Sequence, residues 1–211
     1  MVDSVAGIVI PDSRVAREAA GLVRSEGGEM LFNHSSRVFL FGALKGDARR
    51  LKPDLEELYV AALFHDLGLT DRYATSMQRF ELDGADAALD FHVAHGHSHE
   101  ARRAWLAIAL HTTPEIPAAL EPEIALVTAG VETDVLGLQL NEISDRHLAE
   151  VVDAFPRPDF KRAITKAFYD GMKHRPGSTF GTMNDDVIAH FDATFHRENF
   201  VSIIEQSPWP E

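Results

Sequence analysis

Histidine and aspartate side chains interrupt the apolar stripes of this sequence at several widely spaced positions. His65 and Asp66 stand side by side after the apolar run LYVAALF. His34 begins a second stripe, His111 ends a third, and Asp134 lies inside a fourth. An imidazole or carboxylate without a partner is costly to bury, whereas a divalent cation can bind several of them at once. The pattern therefore predicts a centre for Zn²⁺, Fe²⁺ or Mn²⁺, with His65 and Asp66 among its ligands.

The elements that must position these residues are helices. Hydrophobic periodicity is helical almost throughout and no convincing alternating strand is found, so we predict an all-α fold, a bundle of about eight helices. Asp12 or Ser13 is expected to cap the first helix and Asn33 the second. The run before His65 is expected to stay helical as far as Gly68. The segments expected to be helical are residues 13–27, 33–46, 53–68, 84–92, 98–111, 122–138, 144–155, 159–172 and 184–204.

Composition excludes several classes of function. The 211 residues include 33 acidic and 20 basic side chains, for a formal net charge of −13, and the basic residues are scattered. A nucleic-acid partner is therefore not expected. The absence of cysteine excludes disulfides and thiolate chemistry. Neither a signal peptide nor a run long enough to span a membrane is found. We expect a single cytoplasmic domain over residues 1–211 with no membrane partner, and a homo-oligomer remains open.

Three motifs together resemble a known superfamily. They are NHSSRV at residues 33–38, LFHDLG at residues 63–68, and Asp134. This set resembles the HD-domain metal-dependent hydrolases. The resemblance implies an all-helical core over about residues 30–140, with helices 144–204 completing the pocket. It also implies His34, His65, Asp66 and Asp134 as the metal ligands.

Three further stretches are similar to the cyanamide-hydratase-like branch of that superfamily. They are GLTD at residues 68–71, RFELDGA at residues 79–85, and AIALHTTPEI at residues 107–116. The similarity implies one metal ion, zinc before iron or manganese, and a small-molecule substrate whose nitrile is hydrated, as cyanamide is to urea. A metal with an open position lowers the pKa of bound water from about 16 to roughly 7, which supplies hydroxide at neutral pH.

Other readings of the same residues remain open. His95 and His111 resemble the extra histidines of two-metal HD phosphohydrolases, which would place a second metal here and make a nucleotide or phosphomonoester the substrate. Otherwise His92–His99 is a solvated, histidine-rich loop. His111 is also a candidate for substrate contact. A metal-binding or sensing protein without catalytic activity is a third class.

The remaining candidate residues concern the reaction itself. Asp66 is expected both to bind the metal and to hold the proton of the water. Thr70 is a candidate for hydrogen bonding a small substrate, or a turn hydroxyl. Glu81 is a candidate proton shuttle, or part of a surface salt bridge. Phe180, in the predicted loop 173–182, is expected to form an apolar wall of the pocket.

Overall fold

Helix α2 (Leu55–Phe64) lies at the centre of the structure, and every residue from Leu58 to Phe64 is buried. The computed structural model describes residues 4–209. The other helices of the described part are α1 (Arg14–Arg49), α3 (Phe80–Ala94), α4 (Ser98–Leu110), α5 (Pro122–Val131), α6 (Asp145–Ala154), α7 (Phe160–Met172), α8 (Asn184–Phe191) and α9 (Phe200–Glu205). Helices α1, α3, α4 and α5 pack around α2 and enclose the main hydrophobic core. The all-α prediction is confirmed.

Helix α1 joins the first two predicted helices into one element with a kink. Ser13 caps it as predicted, since its side chain accepts a hydrogen bond from the backbone N–H of Ala16. The kink lies at Gly28, whose φ of 67° and ψ of −175° are not helical. Helix resumes directly after this glycine, so the prediction that Asn33 caps a second helix is wrong. Asn33 lies within α1, and its side chain donates to the carbonyl of Pro156.

Helix α2 begins where the sequence predicts and ends earlier. Asp54 caps its start by accepting from the backbone N–H groups of Glu56 and Glu57. The α-helix ends at Phe64, and a 3₁₀ turn, Leu67–Leu69, follows it. The predicted continuation to Gly68 is wrong because the backbone leaves the α region at Asp66, where φ is −103° and ψ is 6°.

The segment around residues 84–92 was predicted to be mainly irregular with a short helix, and the structure corrects this prediction with helix α3. It starts at Phe80 and is longer than predicted. Its first turn contains Glu81 and Asp83, which are charged and nevertheless buried. Arg79 and Arg175 bind these two carboxylates. The start of this helix was therefore not recognised in the sequence, because its apolar pattern is interrupted by charged residues that are buried and whose partners lie elsewhere in the fold.

The predicted helix over residues 184–204 is divided into α8 and α9. The chain leaves the helix at Asp192, whose side chain accepts hydrogen bonds from the backbone N–H and the hydroxyl of Thr194. This local bonding offers the backbone an alternative to helix. At the other end of the chain, Ser4–Val5 and Ile8–Val9 pair as an antiparallel hairpin of two short strands. No helix in residues 4–209 has both the length and the apolar character needed to cross a membrane.

Candidate metal centre

Three buried side chains from α1 and from the end of α2 converge on one point. Nε2 of His34 lies 3.1 Å from Nε2 of His65. Oδ2 of Asp66 lies 3.4 Å from the first nitrogen and 3.3 Å from the second. All three residues are at most 1% exposed. In residues 4–209, this is the one group of three or more potential ligands whose atoms all lie within 4.8 Å of one another.

The hydrogen bonds of the two imidazoles direct their lone pairs toward this point. Nδ1 of His65 lies 2.7 Å from the carbonyl oxygen of Ala62, which can only accept, so Nδ1 carries the proton. Nδ1 of His34 donates in the same way to Oδ2 of Asp134, at 2.7 Å. In the neutral rings both Nε2 atoms therefore present lone pairs to each other and to a carboxylate. Such an arrangement is repulsive unless a cation or a proton lies between them.

The distances and the unpaired atoms fit a divalent metal. Ligands bound at about 2.0–2.1 Å to a tetrahedral zinc lie roughly 3.3 Å apart, close to the three separations just given. Both carboxylate oxygens of Asp66 are buried without a hydrogen-bond partner. A buried carboxylate without a partner is costly, and a bound cation would satisfy it. His34, His65 and Asp66 are therefore the residues that would hold the ion.

Asp134 lies behind His34 and not among the converging atoms. Its Oδ2 accepts from His34 and from Nη2 of Arg37, at 2.8 Å. Its Oδ1 accepts from Nε of Arg37 and from Nη1 of Arg157, both at 2.7 Å. Because both of its oxygens already accept hydrogen bonds, Asp134 fits the role of a carboxylate that orients a metal-binding histidine. The prediction of Asp134 as a direct ligand does not agree with this geometry.

Burial and pairing shift the pKa values at the site in defined directions. Burial lowers the pKa of His65. Burial also opposes the charged form of His34, but its hydrogen bond with Asp134 and the nearby carboxylate of Asp66 outweigh burial and raise the pKa of His34. Burial alone would raise the pKa of Asp66, yet the three neighbouring imidazoles hold it well below its ordinary value. Asp66 is therefore ionised at neutral pH, and a proton and a metal ion compete for His34.

His111 joins this group from the end of α4. Its Nδ1 lies 2.6 Å from the carbonyl of Ile108, so that the neutral ring keeps its lone pair on Nε2. Nε2 lies 3.6 Å from Oδ1 of Asp66 and has no hydrogen-bond partner. His111 is buried, and its free nitrogen faces the site.

A cavity of about 320 Å³ opens onto these side chains. Its walls come from the π-helical turn Glu132–Leu136 that follows α5, and from α7 and α8. Thr112 and Asn184 are among its few polar groups, and in residues 4–209 no lysine or arginine lines it. The apolar side chains of the wall are Pro114, Val131, Val135, Leu136, Leu138, Ile164, Phe168, Met183 and Val187.

Glu81 lies next to the cavity and not in its wall. Its carboxylate accepts from Arg79, from the hydroxyl of Thr112 and from the side-chain amide of Asn184. Burial alone would raise the pKa of Glu81, but the hydrogen bond from Arg79, the charge of His111 and the Thr112 hydroxyl lower it. A carboxylate held ionised by three donors fits the role of orienting Thr112 and Asn184 better than that of a proton shuttle.

Three other predicted residues lie away from the metal centre. Thr70 is buried, but its hydroxyl donates to the carbonyl of Leu67 at 2.8 Å, as a turn hydroxyl does. Phe180 is 41% exposed and is absent from the cavity wall, which corrects the predicted apolar wall. His95 is bound to Glu18 and to the carbonyl of Phe91. A second metal shared by His95 and His111 does not fit this arrangement.

Sequence reasoning missed Arg37, Arg157 and Asn184 as functional residues. Arg37 lies one turn after His34 in α1. This spacing places two side chains on one face of a helix, so the sequence alone could have indicated Arg37. Arg157 and Asn184 meet the site only through the tertiary fold, and no local pattern around them would have identified them.

The comparisons with known proteins agree with this geometry. The model of the family described as HD domain matches residues 31–154, more than half of the chain. The match contains His34, His65, Asp66, His111 and Asp134. Among curated proteins no relative matches the chain.

Proposed function

This chain belongs to the HD domain family, whose activity is metal-dependent and hydrolytic in type, and we propose that it is a hydrolase or hydratase for small uncharged molecules. The observation that carries the proposal is the mainly apolar cavity that opens onto His34, His65 and Asp66. A buried ligand set beside a pocket is what a catalytic metal requires, since one position must remain for water and substrate.

The bound ion would supply a water whose pKa is lowered to about 7. The rest of the chemistry belongs to the side chains. Asp66 would bind through Oδ2, and its Oδ1, which has no hydrogen-bond partner, would accept a proton from that water. Nε2 of His111, 3.6 Å from Oδ1, is placed to pass the proton to the reacting atom. Thr112 and Asn184, held by Glu81, would orient the polar end of the substrate.

The cavity favours a nitrile or a related neutral group over a phosphate. Phosphate recognition relies on arginine, lysine or backbone N–H groups, and in the described residues no lysine or arginine lines this cavity. The motifs that resemble the cyanamide-hydratase-like branch support the same class. Cyanamide itself would leave most of the 320 Å³ to water, so we propose substrates that carry a larger apolar group next to the nitrile. Zinc is the proposed ion because two imidazoles and a carboxylate suit it.

An assay of metal-loaded protein tests this proposal. The substrates are cyanamide, a series of aliphatic and aromatic nitriles, p-nitrophenyl phosphate and nucleoside monophosphates, and formation of amide, urea or phosphate is followed. We expect turnover of neutral compounds, improving with apolar size, and loss of turnover in Asp66→Asn. Phosphate release as the dominant activity, or nitrile turnover that persists in Asp66→Asn, would overturn it.

One observation favours the phosphohydrolase alternative. His111 presents a free nitrogen 3.6 Å from Asp66, close enough to help to bind a second ion beside the first. That second ion would be lost in His111→Ala, and phosphatase activity would be lost with it. An equal number of bound ions in the wild type and in His111→Ala would favour the proposal of a single metal at this centre.

We also propose that the functional domain continues beyond residue 154, where the family match ends. Helices α7 and α8 contribute Ile164, Phe168 and Asn184 to the cavity wall. Without them the metal ligands would face solvent on that side. The substrate would then lose the apolar surface that we propose selects it.

A further inference from the structure

A second cavity, of about 130 Å³, lies between the start of α1, the start of α2 and the turn that joins α3 to α4. It shares no lining residue with the first cavity. His92, at the end of α3, and His97, which precedes α4, line it. The carboxylates that line it belong to Asp54, Glu56, Glu57 and Glu100.

Two side chains that line this cavity have buried polar atoms without hydrogen-bond partners. His92 is 3% exposed, and neither of its ring nitrogens has a partner. Glu57 is 4% exposed; its Oε2 accepts from Arg103 at 3.0 Å, while its Oε1 has no partner. Buried polar groups are nearly always paired. A histidine and a carboxylate that face one cavity unpaired therefore indicate a missing ligand.

The carboxylates around the cavity favour a cation as that ligand. Four carboxylates line it. Arg103 is the cation bound to Glu57, and it is shared with Glu123, which lies 3.3 Å away. Imidazole nitrogens together with carboxylate oxygens are the donors that zinc and similar divalent metals take in proteins.

The backbone brings the two histidines together. The N–H of His97 donates to the carbonyl of His92 at 2.9 Å, closing a turn in which Gly96 has a φ of 81°. The ring centroids are 6.3 Å apart. Two imidazoles on one tetrahedral zinc would have centroids about 5 Å apart. The ligand atoms of this cavity do not lie within 4.8 Å of one another in the structure, so metal binding would require the half-buried side chain of His97 to turn toward His92.

We propose that this cavity is a second divalent-metal site of this protein, of the zinc type, with His92, His97 and Glu57 as ligands and Glu100 completing the set. The ion would join α2, α3 and α4 at the end of the bundle. Its role would be structural, since a cavity of about 130 Å³ leaves little room for a substrate beside the ion. The proposal does not depend on the proposed enzymatic function.

Zinc binding to the full-length protein tests the site. Protein is stripped with a chelator, equilibrated with Zn²⁺ alone, and its metal content is measured. We expect two ions in the wild type and in His99→Ala, an exposed histidine of the same segment that does not line the cavity. We expect one ion in His92→Ala and in Glu57→Gln. Asp66→Asn should lose the other ion, which identifies each site separately.

Several results would overturn the proposal of a second metal site. One ion in the wild type would show that waters fill the cavity, and so would two ions in both His92→Ala and Glu57→Gln. If His92→Ala does not fold, His97→Ala removes a half-buried ligand without opening a cavity in the core. Zinc affinity at the second site should then fall at least tenfold, and an unchanged affinity would refute the assignment. A second ion lost in His111→Ala but kept in these variants would instead lie at the first centre.

Discussion

At the scale of single residues, the metal centre depends on which nitrogen of each imidazole carries a proton. Ala62 and Asp134 fix the protons of His65 and His34 on Nδ1, so both Nε2 atoms are free to bind. Arg37 and Arg157 in turn compensate the charge of Asp134. Burial alone would raise the pKa of Asp134, but the hydrogen bonds from His34 and Arg37 lower it to about 2. It therefore stays ionised and keeps accepting.

Asp134→Asn tests this role. The amide keeps the shape of the side chain but removes the charge that orients His34 and balances two arginines. We expect metal affinity to fall roughly 10–100-fold, as it does when such orienting groups are removed, with the ion still bound at high concentration. The measurement is a zinc titration, and Asp153→Asn, an exposed aspartate, is the control. Complete loss of binding would instead make Asp134 a direct ligand.

His111→Gln tests the proposed proton transfer. Glutamine can still reach toward the site but cannot exchange a proton near neutral pH. We expect turnover to fall by about 10²–10⁴-fold, while the content of metal bound by His34, His65 and Asp66 is unchanged. Turnover at the wild-type rate would contradict this role, and loss of that ion would assign His111 to the ligands.

At the scale of elements, the approach of α5 to α1 sets the position of the Asp134 carboxylate. A Cβ at Gly130 would lie 2.1 Å from the carbonyl oxygen of Val38, so the two helices meet where α5 has no side chain. Val38 is one turn after His34, and Gly130 is one turn before Asp134. The π-helical turn Glu132–Leu136 then directs Asp134 inward. The contact between the helices therefore builds the His34–Asp134 hydrogen bond.

Gly130→Ala should separate α5 from α1. We expect it to destabilise the protein by about 1–3 kcal/mol, the usual cost of overpacking a core, and to weaken metal binding. Urea unfolding and a zinc titration measure the two effects. Gly21→Ala in α1 is the matched control, because a Cβ there meets no atom within 4 Å, and it should not lower stability. Equal stability of the two variants would show that α5 is free to shift.

At the scale of the whole molecule, the metal would link distant parts of the chain. His34 comes from α1, His65 and Asp66 from the end of α2, and both helices belong to the main core. A ligand that binds only the native state adds RT ln(1 + [L]/Kd) to its stability. Removing the ion should therefore loosen the packing of α1 against α2, and not only stop the reaction.

Chelation should lower the melting temperature of the protein, and Zn²⁺ should restore it. At a thousandfold excess of free zinc over Kd the stabilisation is about 4 kcal/mol. Differential scanning calorimetry of stripped and reloaded protein measures the shift. In Asp66→Asn the zinc-dependent part should shrink. A melting temperature that does not respond to zinc in the wild type would refute a native-state metal.

The sequence predicted some elements closely and others poorly, for physical reasons that differ. The starts of α1, α2, α5 and α6 follow from capping residues and proline, which act within one turn. The start of α3 was missed because Glu81 and Asp83 look like surface residues until Arg79 and Arg175 are placed beside them. Capping residues and proline therefore predict where a helix starts, whereas charged residues that are buried make a helix difficult to recognise from the sequence.

Residue types and helical periodicity, by themselves, determined the all-α fold and selected His34, His65 and Asp66, since each polar residue broke an apolar stripe that had to be buried. Only the tertiary structure decided that Asp134 orients His34, that His111 faces Asp66 and that Phe180 and His95 lie elsewhere. His34 and Asp134 are 100 residues apart in the chain. Periodicity determines which face of a helix is buried, whereas the packing of the helices determines what that face meets.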